Sequence, residues 1–194
     1  NFQFGKARCG DIVILKRLLE ESGRTLIVVP SVEVDGQTCS SSIIRSDVMR
    51  GSVEMAARFL GRFYSIEGVI VTGNQIGGQL GFPTANIEVS DPVKLLPGDG
   101  VYVVRVMLDG EIISGVCNIG VRPTIARDSR RTVEAHLLNF RRRVYGHLAK
   151  VEFVSRIRDE VRFPSAAALA RQIQQDTATA RRVLESFNRD HPVR

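Results

Sequence analysis

Tryptophan is absent from the 194 residues and aromatic side chains make up only 6% of them. A single-stranded nucleic-acid surface stacks bases on aromatic platforms, and Tyr64, Tyr102 and Tyr145 are not interleaved with Lys or Arg along one segment. Cysteine is equally scarce. Cys9, Cys39 and Cys117 are odd in number, widely spaced and without a CxxC pair, which argues against a disulfide framework or structural zinc and fits a reducing, cytoplasmic compartment. No apolar run approaches the roughly 20 residues of a membrane-spanning helix. No charged-then-apolar leader precedes the first element, and a start at Asn1 reads as a processed or cut chain. What is present is the balance of an ordinary globule, 43% hydrophobic and 25% charged.

The net charge of +6 admits a polyanionic partner. Residues 1–57 carry seven Lys/Arg and seven Asp/Glu, so the excess lies downstream, densest at Arg127, Arg130, Arg131, Arg141, Arg142 and Arg143. Such a run suits a nucleoside triphosphate, and equally a solvated rim.

Residues 1–61 read as α/β pieces. Asp11 caps a helix with Ile12, Leu15, Leu18 and Leu19 at helical spacing, closed by Gly23. Segment 25–29 reads as a buried strand bounded by Pro30. After a turn at Asp35 and Gly36 and the hydroxyl cluster Ser40, Ser41 and Ser42, a second helix is expected over 46–60, ended by Gly61. So few elements bury little core of their own. Residues 1–61 are therefore expected to be the end of a larger α/β domain, with a boundary at 61/62.

From residue 62 the texture changes to short Val-, Ile- and Thr-rich segments at 65–72, 85–89, 101–108, 112–119, 132–138 and 151–157, separated by turn residues. Asp109 and Gly110 signal a hairpin. These spacings leave no room for βαβ crossovers, so a six-stranded antiparallel, Greek-key-like barrel is expected. Beyond Phe163 and Pro164, Ser165 is a plausible N-cap, and Leu169, Ile173, Thr177, Ala180, Leu184 and Phe187 form the apolar stripe of a long C-terminal helix.

The densest chemical signal is TGNQIGGQLGFPTAN at 72–86. Glycines 73, 77, 78 and 81 let backbone N–H groups converge on a phosphate, or simply make a flexible loop. Pro83 stiffens the next segment, and alternation puts Thr84 and Asn86 on one face. Their two neutral oxygens suit Mg²⁺, which takes its other ligands from water and phosphates; ordinary turn and strand polar residues look the same. On 132–137 Thr132, Glu134 and His136 share one face, with Glu134 either a general base or a solvated surface carboxylate. His136 has no partner at metal-ligand spacing and reads as structural or exposed. Arg122 in a polar turn, and Arg158 with Phe163 in a loop, are candidates for phosphate or ring contacts.

The combination of motifs resembles the riboflavin kinase (flavokinase) domain over residues 62–187: LGFPTAN at 80–86, DGVY at 99–102, NIGVRPT at 118–124, VEAHL at 133–137 and RDE at 158–160 followed by Phe163. Upstream, NFQFG at 1–5 and SSSIIR at 40–45 resemble the DFxFG and SSTxIR segments of the nucleotidyltransferase module that bacterial bifunctional FAD synthetases fuse to the kinase. Asn1 stands where Asp is usual and Ser42 where Thr is usual. The HxGH-like nucleotide-binding segment of that module is not within these residues.

The resemblance implies that ATP phosphates lie against Gly73, Gly77, Gly78, Gly81 and Phe82, and that Thr84, assisted by Asn86, holds Mg²⁺. It implies that Glu134 is the general base on the ribityl 5′-hydroxyl of riboflavin, giving FMN and ADP. Asn86, Arg158 and Phe163 would contact the flavin, and Ser41 and Arg45 a phosphate of the nucleotidyltransferase reaction that makes FAD. Gly78 departs from the family, which often has Arg there. Competing readings are a non-catalytic flavin-binding module and a basic nucleic-acid-binding barrel. With the kinase reading, neither nucleic acid nor membrane is an expected partner, and a homo-oligomer is left open, not predicted from the sequence.

Overall fold

The computed structural model describes residues 2–73, 76–79, 81–121 and 131–190. Two compact units divide the chain, Asn1–Thr38 and Cys39–Arg194.

In the first unit Asp11 caps α1 (Ile12–Glu21), its carboxylate accepting the N–H groups of Val13 and Ile14 at 3.0 Å. A minimal hairpin of β1 (Glu33–Val34) and β2 (Gln37–Thr38) turns on Asp35 and Gly36, both at positive φ as a type I′ turn requires. The strand expected at 25–29 does not form. Ile27, Val28 and Val29 are 82%, 57% and 80% exposed, because a strand needs a neighbour for its backbone groups and the unit's only described ladder is the hairpin.

The second unit opens with α2 (Ser41–Arg50) and α3 (Val53–Leu60), where one helix over 46–60 was expected. Ser40 caps α2 through its Oγ, so the hydroxyl cluster is a helix start. Gly51 ends α2 in the left-handed region, at φ +79, and breaks the helix in two. Val53 joins the barrel core, and the Glu54 carboxylate accepts the Arg156 N–H at 2.8 Å. Residues 39–61 therefore pack with the barrel, and the compact units divide at 38/39, upstream of the 61/62 change in sequence texture.

Six strands close the barrel: β3 (Tyr64–Val71), β4 (Ala85–Val89), β5 (Gly100–Leu108), β6 (Glu111–Val121), β7 (Arg131–Leu137) and β8 (Leu148–Arg158). Their order, β3-β4-β7-β6-β5-β8, is antiparallel throughout. The β5-β6-β7 meander, flanked by β4 and β8, is a Greek key. Between β3 and β4 lies a single helical turn, α4 (Ile76–Gln79).

Alternation divides β5 between two cores. Tyr102, Val104 and Val106 point into the barrel with Ile66, Ile70 and Phe153, whereas Val101 and Val103 lie outside with Val116, Leu138 and Val154. The outer patch is covered by Ala180 and Leu184 of α5 (Ala166–Asp190), whose start Ser165 caps by accepting the Ala168 N–H. No helix among the described residues is long and apolar enough to cross a membrane.

Candidate active site

On β7, Val133, Ala135 and Leu137 belong to the barrel core, so Glu134 and His136 face outward. Directly opposite residues share a face. Asn86 of β4 and Asn118 of β6 both pair with Glu134, which gives an outer row Asn86, Glu134, Asn118 across three strands.

Close backbone approach shapes the loop between β3 and β4. A β-carbon on Gly73 would overlap the Asn86 carboxamide, and one on Gly77 the Phe82 carbonyl. Both glycines are thus required by packing, whatever they bind. The Phe82 N–H donates to the Gly77 carbonyl at 2.7 Å and the Gly81 N–H to Gly78 at 3.1 Å, so these two donors are spent within the loop. Gly78 faces open space, where a side chain would meet nothing within 4 Å. Leu80 lies outside the described residues.

The following segment is pinned to β7. His136 Nδ1 donates to the Pro83 carbonyl at 2.9 Å, and the Phe82 ring meets the His136 ring edge-on with centroids 5.6 Å apart. That contact anchors the segment leading into Thr84, which lines the same cavity as Glu134. His136, expected to be structural or exposed, makes this contact while lining the cavity; its partner lies 53 positions away and no sequence pattern names it.

Between the barrel's outer face, the loop after β8 and the first half of α5 is a cavity of about 330 Å³. Gly77, Phe82 and Thr84 line one side, Asn118, Glu134 and His136 the sheet, and Arg158, Glu160, Phe163 and Asp176 the other side. Such a volume suits a small organic ligand, since sites of this kind span roughly 300–1,000 Å³. A second cavity of about 230 Å³ lies on the other side of Thr84, lined by Pro83, Phe140, Arg141, Arg142, Arg143 and Tyr145. Among the described residues Thr84 alone lines both.

Of the candidate residues, Thr84, Glu134, Phe82, Gly77, Arg158 and Phe163 meet at the first cavity. Asn86 is buried beside Gly73 in the same row. Ser41 and Arg45 sit on α2, where Arg45 lines a separate open depression with Ser42, Ser46 and Arg50. The basic run divides as well. Arg131 binds Asp99 and the Pro97 carbonyl, and Arg142 pairs with Glu111 at 2.9 Å. Arg122, Arg127, Arg130 and Asn1 lie outside the described residues.

Arg158 is committed to a partner that periodicity alone does not reveal. Its Nη2 and Nε donate to the Asp176 carboxylate at 2.8 and 3.2 Å, and Gln172 adds a 2.9 Å donor to the same group. The guanidinium also lies 5.6 Å from the Phe163 ring centroid. The visible signal was an acid amid the apolar stripe of α5, between Ile173 and Ala180.

Thr84 and Asn86 carry neutral oxygens of the hard kind that could hold Mg²⁺ once phosphates complete its shell, and Thr84 lines the same cavity as the Glu134 carboxylate. Among the described residues no group of three or more His, Cys, Asp or Glu could hold a metal by itself. On the barrel side of the sheet, burial pushes the Cys117 thiol well above its ordinary value, and the Glu134 charge adds to the shift.

The riboflavin kinase family profile matches residues 60–184. The chain is 39% identical over 181 residues to the bifunctional riboflavin kinase/FMN adenylyltransferase of Pseudomonas fluorescens, covering 93% of this chain and 58% of that protein. It is 38% identical over 187 residues to the enzyme of the same description from Haemophilus influenzae, covering 96% and 60%. A crystal structure described as a macrolide-efflux protein from Streptococcus pneumoniae superimposes with a TM-score of 0.84 at 30% identity, over 93% of this chain and 58% of that one. The chain spans about three-fifths of the length of the curated relatives it matches. With that profile match and the barrel that the strands form, the chain belongs to the riboflavin kinase family.

Proposed function

We propose that this chain transfers the γ-phosphoryl group of Mg-ATP to the ribityl 5′-hydroxyl of riboflavin, giving FMN and ADP. The observation that carries the reading is that Glu134, from the row Asn86, Glu134, Asn118, lines the same cavity as Thr84. Riboflavin, uncharged, with a flat aromatic ring system and a hydroxylated ribityl chain, occupies the cavity running from Glu134 to Phe163 and α5. The nucleotide lies across Thr84, where Arg141, Arg142 and Arg143 offset the triphosphate charge.

The 5′-oxygen attacks the γ-phosphorus in line, and the bond from that phosphorus to the β,γ-bridging oxygen breaks. ADP leaves with the electron pair, and the hydroxyl proton passes to the Glu134 carboxylate. Thr84 and Asn86 are the residues that would hold Mg²⁺, which when bound neutralises phosphate charge. The remaining work is positioning: Phe163 and Arg158 roof the flavin and exclude water that would compete for the phosphoryl group.

Incubation with riboflavin and ATP, with and without Mg²⁺, followed by chromatography of the flavins, tests the reading. FMN formed only with Mg²⁺ is expected. Riboflavin binding without FMN would overturn catalysis and leave a flavin-binding module. Residues 1–61 are read as the end of a nucleotidyltransferase module in a longer bifunctional protein, on the strength of the 40–45 segment and of the curated relatives' length. FAD formed from FMN and ATP by the full-length protein would support that; its absence would remove the adenylyl-transfer half.

A further inference from the structure

Loop 159–163 leaves β8 and forms the roof of the first cavity. One end is tied down where Asp159 Oδ1 meets Arg156 Nη2 at 2.9 Å, the other where Phe163 lies against the Arg158 guanidinium. Between them Glu160 reaches the opposite wall. Asn118 Nδ2 donates to Glu160 Oε1 at 3.3 Å, and the carboxylate rests on Gly120 so closely that a β-carbon there would overlap it. The three atoms nearest such a carbon all belong to Glu160, and Gly120 is not among the glycines at positive φ. Glycine at 120 is therefore explained by the seat it gives this carboxylate, and by no backbone need.

Asn118 is the cross-strand neighbour of Glu134. A hydrogen bond thus joins the roof of the cavity to its floor one strand away from the carboxylate assigned as base. We propose, resting on the kinase reading above, that Glu160 is a positioning residue: clipped to Asn118 over Gly120, it holds loop 159–163 at the height that lets Phe163 and Arg158 cover the flavin. The bond is open to solvent, so it breaks and re-forms readily, and the roof lifts for the flavin to enter. Charge is not what the clip needs. An acceptor oxygen at that position is.

Three variants of the chain separate the clip from other roles. Glu160→Ala removes the acceptor. Gly120→Ala leaves the carboxylate but displaces it, on a backbone that tolerates alanine. Glu160→Gln keeps an acceptor oxygen without the charge. The first two are expected to raise the KM for riboflavin about three- to tenfold, the loss of one hydrogen bond, with kcat changed less than about twofold. Glu160→Gln is expected to restore most of the affinity. An unchanged KM in Glu160→Ala overturns the proposal, as does a Gln variant as impaired as the Ala variant, which would assign the effect to charge.

Limited trypsin digestion reads the clip without any flavin. Cleavage after Arg162 should be faster in Glu160→Ala and Gly120→Ala and near the wild-type rate in Glu160→Gln. Equal rates in all four proteins overturn the clip. Wild-type protein that makes no FMN while the variants still nick faster overturns the kinase reading and leaves the clip standing.

Discussion

Glu134 takes its place from the two-residue period of a strand. With Val133 and Ala135 fixed in the barrel, its carboxylate has to face outward, and the pairing of β4 and β6 then brings Asn86 and Asn118 beside it. Glu134→Gln preserves size and position but removes the proton acceptor. It is expected to lower kcat by about 10²–10⁴ and leave riboflavin affinity nearly unchanged, because the loss falls in the transition state alone. Steady-state kinetics with a separate riboflavin titration check this; near wild-type turnover would take the general-base role from Glu134. At this scale the sequence exposed which residues share a face, since alternation is local. It concealed that His136 binds the Pro83 carbonyl and that Glu160 reaches Asn118, because those partners meet only once the barrel closes.

Among the elements, β8 and α5 are joined by the Arg158–Asp176 pair. The Asp176 side chain is 4% exposed and that of Arg158 21%, so removing the arginine strands a buried carboxylate with little more than Gln172 for company. Arg158→Met is expected to cost about 3–5 kcal/mol of unfolding free energy, and Arg158→Met with Asp176→Leu to recover most of it, since an apolar pair carries no desolvation penalty. Urea denaturation of the wild type, both single variants and the double variant measures the coupling; additive losses would show that the pair is not a unit. Elements written in local chemistry were legible. Asp11 and Ser165 cap helices as expected, and Asp109 and Gly110, both at positive φ, turn the β5–β6 hairpin. Segment 25–29 misled because strand propensity without a neighbouring strand makes no ladder. The 46–60 helix misled because its spacing does not show that Gly51 sits under the Tyr102 hydroxyl and Arg156, where it turns the chain.

For the whole molecule, closing the barrel buries the acidic protons of Tyr102 and Cys117 and half-buries that of Tyr64. The Tyr102 hydroxyl donates to the Gly98 carbonyl and that of Tyr64 to Leu95 at 2.6 Å, while Cys117 has no solvent exposure. Burial raises all three above their ordinary values; the nearby Arg156 charge opposes the shift at Tyr102, and the Glu134 charge reinforces it at Cys117. The native state therefore holds these protons more tightly than the unfolded chain does. Their contribution is fully present below the unfolded values, about 8.5 for a thiol and about 10 for a phenol, and is lost as pH rises toward the folded ones. Urea midpoints should be flat from neutral pH to about 8 and fall steadily above about 10, where the unfolded state has shed protons that the barrel retains. Tyr102→Phe, lower in stability at neutral pH for want of the Gly98 hydrogen bond, should show a shallower alkaline decline. A decline as steep as the wild type's would mean that the loss comes from groups other than the Tyr102 hydroxyl.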